Sequence, residues 1–258
     1  GPNGAGKSLT LRLCHGLLAP STGRIVWDGA RPGDDPLKRQ AMVFQRPVLL
    51  RRTVAQNVDY ALKLHGVTRA ARPHVIDDVL SRTGLARFAT SPARHLSGGE
   101  QQKLALARAW ATKPEVLFLD EPTASLDPAA THAVENVIGI MHGEGTRIVM
   151  TTHDLAQAKR HADEVIFIYN GRVLEKTPAD EFFNAPRSGE RQRQAAAVGS
   201  SSSGVVSGSA LPARRTNIGT SRRQPRGGRP PRRKRRTKVG SRQCVRRLCA
   251  NTLASALL

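Results

Sequence analysis

The sequence predicts an α/β protein, a largely parallel sheet whose strands and helices converge on one phosphate-binding edge. Three stretches carry that expectation. Gly1-Pro2-Asn3-Gly4-Ala5-Gly6-Lys7-Ser8 fits GxxxxGK[ST] without a mismatch. In that pattern backbone amides wrap phosphates, the lysine reaches the terminal ones, and the serine hydroxyl binds Mg²⁺. Leu96-Ser97-Gly98-Gly99-Glu100-Gln101-Gln102 sets a hydroxyl and bare glycine amides before a run of good helix formers, Lys103 to Ala109. Unpaired N–H groups and the helix dipole attract an anion there. Val116-Leu117-Phe118-Leu119 is a short apolar run, as expected of a parallel strand buried on both faces. It ends in two carboxylates, Asp120 and Glu121.

The remaining elements follow in chain order. A helix is expected from Lys7 to about Leu17, with Leu9, Leu11, Leu13 and Leu17 as its apolar positions. Arg24-Ile25-Val26-Trp27 reads as a strand closed by an Asp28-Gly29 turn, and Ala41–Phe44 as a second strand ending at Gln45. Thr53 is placed to cap a helix running to about Leu64, with Val54, Val58, Ala61 and Leu62 on one face. His74–Thr83 gives another helix, and with Gln102–Trp110 the stretch 46–112 is a mostly helical insertion. Within it, Val48-Leu49-Leu50 is either a docking surface or packs inward. After the carboxylates come a helix from about Ala129 to Met141 and a strand over Arg147–Thr151. Strands Asp163–Ile168 and Arg172–Glu175 then flank an Asn170-Gly171 hairpin turn, and Pro178–Asn184 forms a short last helix.

Composition divides the chain in two. Its 258 residues suit one domain plus a tail. Residues 187–258 hold 18 of the 41 Lys+Arg and one of the 20 acids, Glu190, a charge of +17. Residues 1–186, with 23 basic and 19 acidic residues, carry only +4. No apolar run approaches the ~18–20 residues needed to span a bilayer. The sequence opens on the phosphate loop, so no secretory leader is expected. Cys14, Cys244 and Cys249 are too few and too scattered for a disulfide framework, and nothing beside the last two suggests zinc. A reduced, cytoplasmic setting is the simplest fit.

Together, GPNGAGKS, LSGGEQQ and LFLDEP resemble the nucleotide-binding subunit of ABC transporters over roughly residues 1–185. The resemblance implies a P-loop NTPase core with a parallel sheet, the helical subdomain at 46–112, and ATP with Mg²⁺ as the ligands. Gly1, Pro2, Asn3, Gly4, Ala5, Gly6, Lys7, Ser8 and Leu9 would cradle the phosphates. Leu9 stands where the family usually has threonine, so only its amide can donate. Ser8, Gln45 and Asp120 would hold Mg²⁺. Glu121 would polarise the attacking water, and His153 would reach the γ-phosphate. Gln45 matches the Q-loop, which relays nucleotide state to the membrane partner, and Ser125-Leu126-Asp127-Pro128 matches the D-loop at the dimer seam. Ser97, Gly98, Gly99, Gln101 and Asp127 would complete the nucleotide site across that seam, in a head-to-tail pair of ATP-binding subunits. The family also implies a separate transmembrane permease, the importer's substrate-binding protein, and a peripheral position on the inner face of the cell membrane. The strand before the phosphate loop, with an aromatic residue for adenine, is expected in the family and absent from this sequence, which reads as a fragment.

Several readings stay open. The run Gln45–Val54, followed by Asn57–Leu62, together with Lys7–Arg12, is similar to tungstate-type oxyanion importers. A soluble ABC ATPase acting on nucleic acid is the alternative from another class, although neither tandem ATPase domains nor coiled-coil arms are present, which makes nucleic acid the weaker partner. An inert gene fragment is a further one. The Arg-rich tail, with no aromatic residue and Arg232-Arg233-Lys234-Arg235-Arg236 in it, cannot bury enough apolar surface to offset its ordering entropy and is predicted disordered. It reads as a salt-sensitive grip on nucleic acid or anionic lipid, as a solvated extension, or as a shifted reading frame. The abrupt change of composition favours the last.

Overall fold

The computed structural model describes residues 1–27, 35–184 and 255–257. Seven α-helices are described: α1 (Lys7–His15), α2 (Val54–Leu64), α3 (Arg72–Arg82), α4 (Gly98–Ala111), α5 (Pro128–Gly143), α6 (Leu155–His161) and α7 (Ala179–Asn184). The strands are β1 (Gln40–Val43), β2 (Val116–Asp120), β3 (Arg147–Thr151), β4 (Glu164–Tyr169), β5 (Arg172–Pro178) and β6 (Ser255–Leu257). They form one sheet in the order β1-β2-β3-β6-β4-β5. All neighbours are parallel except β4 and β5, which form a hairpin. The expected α/β architecture is therefore present, with the helical insertion between β1 and β2.

Side-chain alternation assigns the two faces of the sheet. Leu117 and Leu119 of β2, with Ile148 and Met150 of β3, join one core with Leu104, Leu106 and Trp110 of α4 and Val134 and Met141 of α5. Phe118, between the two leucines, points the other way and packs with Leu11 of α1 and with Ile166 and Ile168 of β4. A third cluster joins Val165 and Phe167 to Ala158 of α6 and Phe182 of α7. Helix α1 thus lies on one face of the sheet and α4 on the other, and the phosphate loop meets the C-terminal end of β2.

Several expectations need correcting. Arg24–Trp27 is not a strand, because none of the described strands pairs with it; Trp27 instead rests edge-on against Phe118, 6.0 Å between ring centroids. The Asp28-Gly29 turn lies outside the described residues. Helix α4 begins at Gly98 rather than Gln102, because Ser97 and Glu100 close a capping box that takes both glycines into its first turn. Helix α6, capped by Asp154, is an element that the sequence reading does not contain. The same holds for β6, which pairs Val149↔Ser255 to Thr151↔Leu257 on one side and Glu164↔Ser255 to Ile166↔Leu257 on the other. Its backbone gives β3 and β4 partners for groups that would be costly to leave unpaired. The rest of the tail lies outside the described residues.

Candidate active site

The phosphate loop is a tight coil of backbone. Ala5 N–H donates to the Pro2 carbonyl at 3.2 Å, and Gly6 sits at φ 97°, a left-handed conformation that costs glycine least. Gly6 also serves as the N-cap of α1 without any capping side chain, so the first amides of α1 are available to an anion. A support that the sequence reading missed lies behind the loop: the Asn170-Gly171 hairpin turn. Gly171 N–H donates to Ala5 O at 2.9 Å, and a Cβ on Gly6 would meet Gly171 Cα at 3.5 Å. The turn residues Asn170 and Gly171 both have positive φ, as a type I′ hairpin requires.

The side chains around this loop are already assembled. Lys7 is buried and donates to the carbonyls of Gly1 (2.8 Å) and Pro2 (3.2 Å), with Glu121 Oε1 at 3.6 Å. Ser8 Oγ donates to Asp120 Oδ1 at 2.6 Å. Asp120 stands at the end of β2 opposite Thr151 of β3, and Thr151 Oγ1 donates to the same carboxylate oxygen at 2.9 Å. Thr151 Oγ1 also accepts from Glu121 N–H at 3.0 Å. One hydroxyl absent from the sequence reading therefore fixes both carboxylate residues. A threonine at the end of the strand after the acids was the available signal, and pairing register was needed to use it.

Glu121 adopts φ 46°. Its Oε2 lies 3.2 Å from His153 Nδ1, which donates in the tautomer with Nδ1 protonated. The Glu121 side chain is 15% exposed and that of His153 53% exposed, so the pair lines an open face. Ser8 and Asp120 offer oxygens only, which suits Mg²⁺: that ion is held through one or two protein oxygens, phosphates and water. Among the described residues no three His, Cys, Asp or Glu side chains cluster to hold a metal without a nucleotide. The Ser8 and Asp120 oxygens fit an ion that completes its coordination with phosphate and water.

The side chains of Ser97, Gln101 and Asp127 bond to groups close to them in sequence. Ser97 Oγ donates to Glu100 Oε2 at 2.8 Å, and the same oxygen accepts from Ser97 N–H at 2.9 Å. These bonds hold the Glu100 carboxyl below its usual range, the backbone bond most of all. Gln101 Nε2 donates to Leu96 O at 2.8 Å, and Asp127 caps α5 by accepting from Ala130 N–H at 2.8 Å. Within one chain, these side chains therefore serve the ends of α4 and α5.

Gln45 follows β1, whose parallel pairing with β2 puts it on the same sheet edge as Asp120. Its side chain is exposed. The chain on either side of Gln45 is fastened by three side chains to which the sequence reading gives no such role. Gln102 Nε2 donates to Phe44 O at 3.4 Å, and a nitrogen of Arg108 donates to Val48 O at 2.7 Å. The fully buried Asn57 accepts from Leu50 N–H at 2.9 Å and donates to the carbonyls of Leu50 and Thr53. The apolar triplet splits: Val48 is 76% exposed, while Leu49 packs against the core. Exposed Val48 borders a groove that Tyr60, Leu64 and Leu37 also line.

A phosphate loop backed by an acid–threonine–acid chain at the C-terminal edge of a parallel sheet defines a nucleoside-triphosphate-binding domain. The profile of the ABC transporter family matches residues 1–124. The tungstate uptake system ATP-binding protein of Peptoclostridium acidaminophilum is 38% identical over 185 residues, 71% of this chain and 84% of that protein. The phosphate import ATP-binding protein of Mycoplasmoides gallisepticum is 37% identical and the methionine import ATP-binding protein of Caulobacter vibrioides 39% identical, and the chain spans 62% and 61% of their lengths. Among solved structures, a part of the cbiONQ ABC transporter complex of Clostridium perfringens has a TM-score of 0.64 at 31% identity, covering 72% of this chain and 77% of that one. The chain belongs to the ABC transporter family as an ATP-binding subunit, and such subunits are ATPases coupled to transport. Among the described residues no helix is long and apolar enough to cross a membrane.

Proposed function

We propose that this chain hydrolyses Mg²⁺-ATP as one half of a head-to-tail pair and powers uptake through a separate permease, with an oxyanion as cargo. The observation that carries the catalytic part is the chain of bonds Ser8–Asp120–Thr151–Glu121. It ties the oxygens of Ser8 and Asp120 to the Glu121 backbone, with the Glu121 carboxylate 3.6 Å from Lys7, which supports reading them as ion ligands and a water-polarising carboxylate. Lys7 exchanges its two carbonyl partners for the β- and γ-phosphates, whose charge it can neutralise. Ser8 Oγ and Asp120 would hold Mg²⁺, which supplies further neutralisation of the phosphates. Glu121 then accepts a proton from the attacking water, and His153, hydrogen-bonded to it, fixes that carboxylate against the terminal phosphate.

The local bonding of Ser97, whose hydroxyl serves Glu100 of its own chain, supports pairing. The Ser97 hydroxyl and the Gly98 and Gly99 amides would receive the phosphate bound by a second copy, once Ser97 turns from Glu100 to the nucleotide. Hydrolysis removes that bridging charge and reopens the pair. The exposed Val48 and its groove provide a surface for the permease on the peripheral, cytoplasmic side. The oxyanion reading rests on the tungstate and phosphate relatives and on the run from Gln45 to Leu62. Uptake of tungstate, molybdate and phosphate in cells with and without the gene tests it. A loss confined to one oxyanion names the cargo; unchanged uptake of all three ends the cargo reading and leaves the ATPase intact.

A further inference from the structure

Behind the site lies a buried ionic group that the chemistry above does not use. Glu135, midway along α5, has a side chain only 7% exposed. Its carboxylate accepts from Gln157 Nε2 at 2.9 Å and from Arg160 at 3.1 Å, and His161 Nε2 lies 3.1 Å away. All three partners sit on α6, the seven-residue helix that begins directly after His153 and Asp154. Gln157 is itself 1% exposed, and the same Nε2 donates to Thr123 Oγ1 at 2.8 Å. Thr123 belongs to the loop between Glu121 and Leu126.

We propose that Glu135 is a positioning residue for ATP hydrolysis, acting through Gln157 to hold the Glu121 loop and the His153 helix at one fixed spacing. A carboxylate accepts and cannot donate, so Glu135 dictates which end of the Gln157 amide faces it. Both amide hydrogens are then spent, one on Glu135 and one on Thr123, and Gln157 Oε1 is left buried with no hydrogen bond. An unpaired buried carbonyl is unfavourable, and its persistence fits an orientation imposed for another purpose. The loop it reaches needs such a tie. Glu121 and Ser125 both sit at positive φ, 46° and 69°, a conformation that persists only when the surroundings over-determine it. Helix α6 is too short to hold its own position. Its anchor to α5 therefore sets where His153 stands relative to Glu121.

This inference rests on the assignment of Glu121 and His153 to hydrolysis, and the test separates the two. ATPase kcat, KM for ATP and melting temperature are measured on the full chain for T123V, Q157L, the double variant and E135A. V134A, one residue away in the core of α5, serves as a matched destabilised control. T123V and Q157L should each lower kcat roughly ten- to a hundredfold, with KM for ATP within about twofold of the parent. The double variant should lose no more than the worse single one, because Q157L already breaks the bond that T123V removes. V134A should keep its kcat. E135A should behave as Q157L does; if it fails to fold, T123V, nearly isosteric and outside the core, still decides. Turnover within twofold of the parent in T123V and Q157L, while E121Q is inactive, would overturn the proposal. An equal kcat loss in V134A at the same melting temperature would also overturn it. Full turnover in E121Q and H153A would instead remove the site assignment, and this inference with it.

Discussion

Gly99 is constrained by its own chain before any nucleotide arrives. A Cβ built there would lie 2.7 Å from the Cβ of Ala130, whereas one on Gly98 would meet Leu126 Cδ2 at 3.7 Å, an ordinary contact. Ala130 cannot retreat freely, because its N–H is the group that Asp127 caps at 2.8 Å. Gly99→Ala must therefore open the α4–α5 contact by several tenths of an ångström to 1 Å. Overpacking of that kind costs about 1–3 kcal/mol, and the better helix propensity of alanine returns at most about 1 kcal/mol. At about 2–4 °C per kcal/mol for a domain of this size, G99A should melt several degrees below the parent. G98A should melt at or slightly above it. The melts are run without nucleotide, so that phosphate contacts play no part. Making room should cure the defect: G99A/A130G is expected to melt no lower than A130G alone. Equal melting of G98A and G99A, or no relief from A130G, would refute the packing argument. The two glycines would then be required only by the phosphate.

Three further outcomes follow from the site. E121Q should bind ATP with near-parent affinity and pair in its presence, while steady-state hydrolysis falls by about 10²–10⁴-fold, the usual worth of a general base; phosphate-release assays and nucleotide titrations check both halves. T151V removes the hydroxyl shared by Asp120 and Glu121 and should lower stability by about 1–3 kcal/mol, with a higher Mg²⁺ concentration at half-maximal ATPase rate. Acid should weaken the α5–α6 contact. Burial works to raise the Glu135 carboxyl, but the bonds from Gln157 and His161, the His161 charge and the Arg160 bond together hold it below its ordinary value of 4.5. Its contribution is therefore complete above about pH 4.5 and lost as pH falls through the lower folded value. E135Q should flatten the decline in denaturant midpoint across that window; an unchanged slope would show that the pair does not contribute.

Much of this site is legible in the chain because each part depends on a local pattern. The phosphate loop, the acids after an apolar strand and the Asn170-Gly171 turn each state their geometry within eight residues. Thr151, Gln102, Asn57, Glu135 and Gln157 were not legible, for a common reason. Each is an ordinary polar residue in a helix or strand, and its meaning comes from a partner 7 to 58 residues away. Asn57 in α2 reads as one more helical polar position until it is found fully buried and bonded to the Leu50 backbone. The strand expected at Arg24–Trp27 failed in the opposite direction. Local β propensity was present, and a pairing neighbour among the described strands was not.

The stretch around Gln45 has a consequence for how such proteins diversify. Gln102, Arg108 and Asn57 grip its main chain, at Phe44 O, Val48 O and both polar groups of Leu50. The side chains of Arg46, Val48 and Arg51 are exposed. A surface fastened by its backbone can exchange its exposed residues at little cost in stability. On the permease-docking reading proposed above, one ATPase body can be refitted to new membrane partners by changing these three exposed side chains, while Gln45 and the catalytic edge stay as they are.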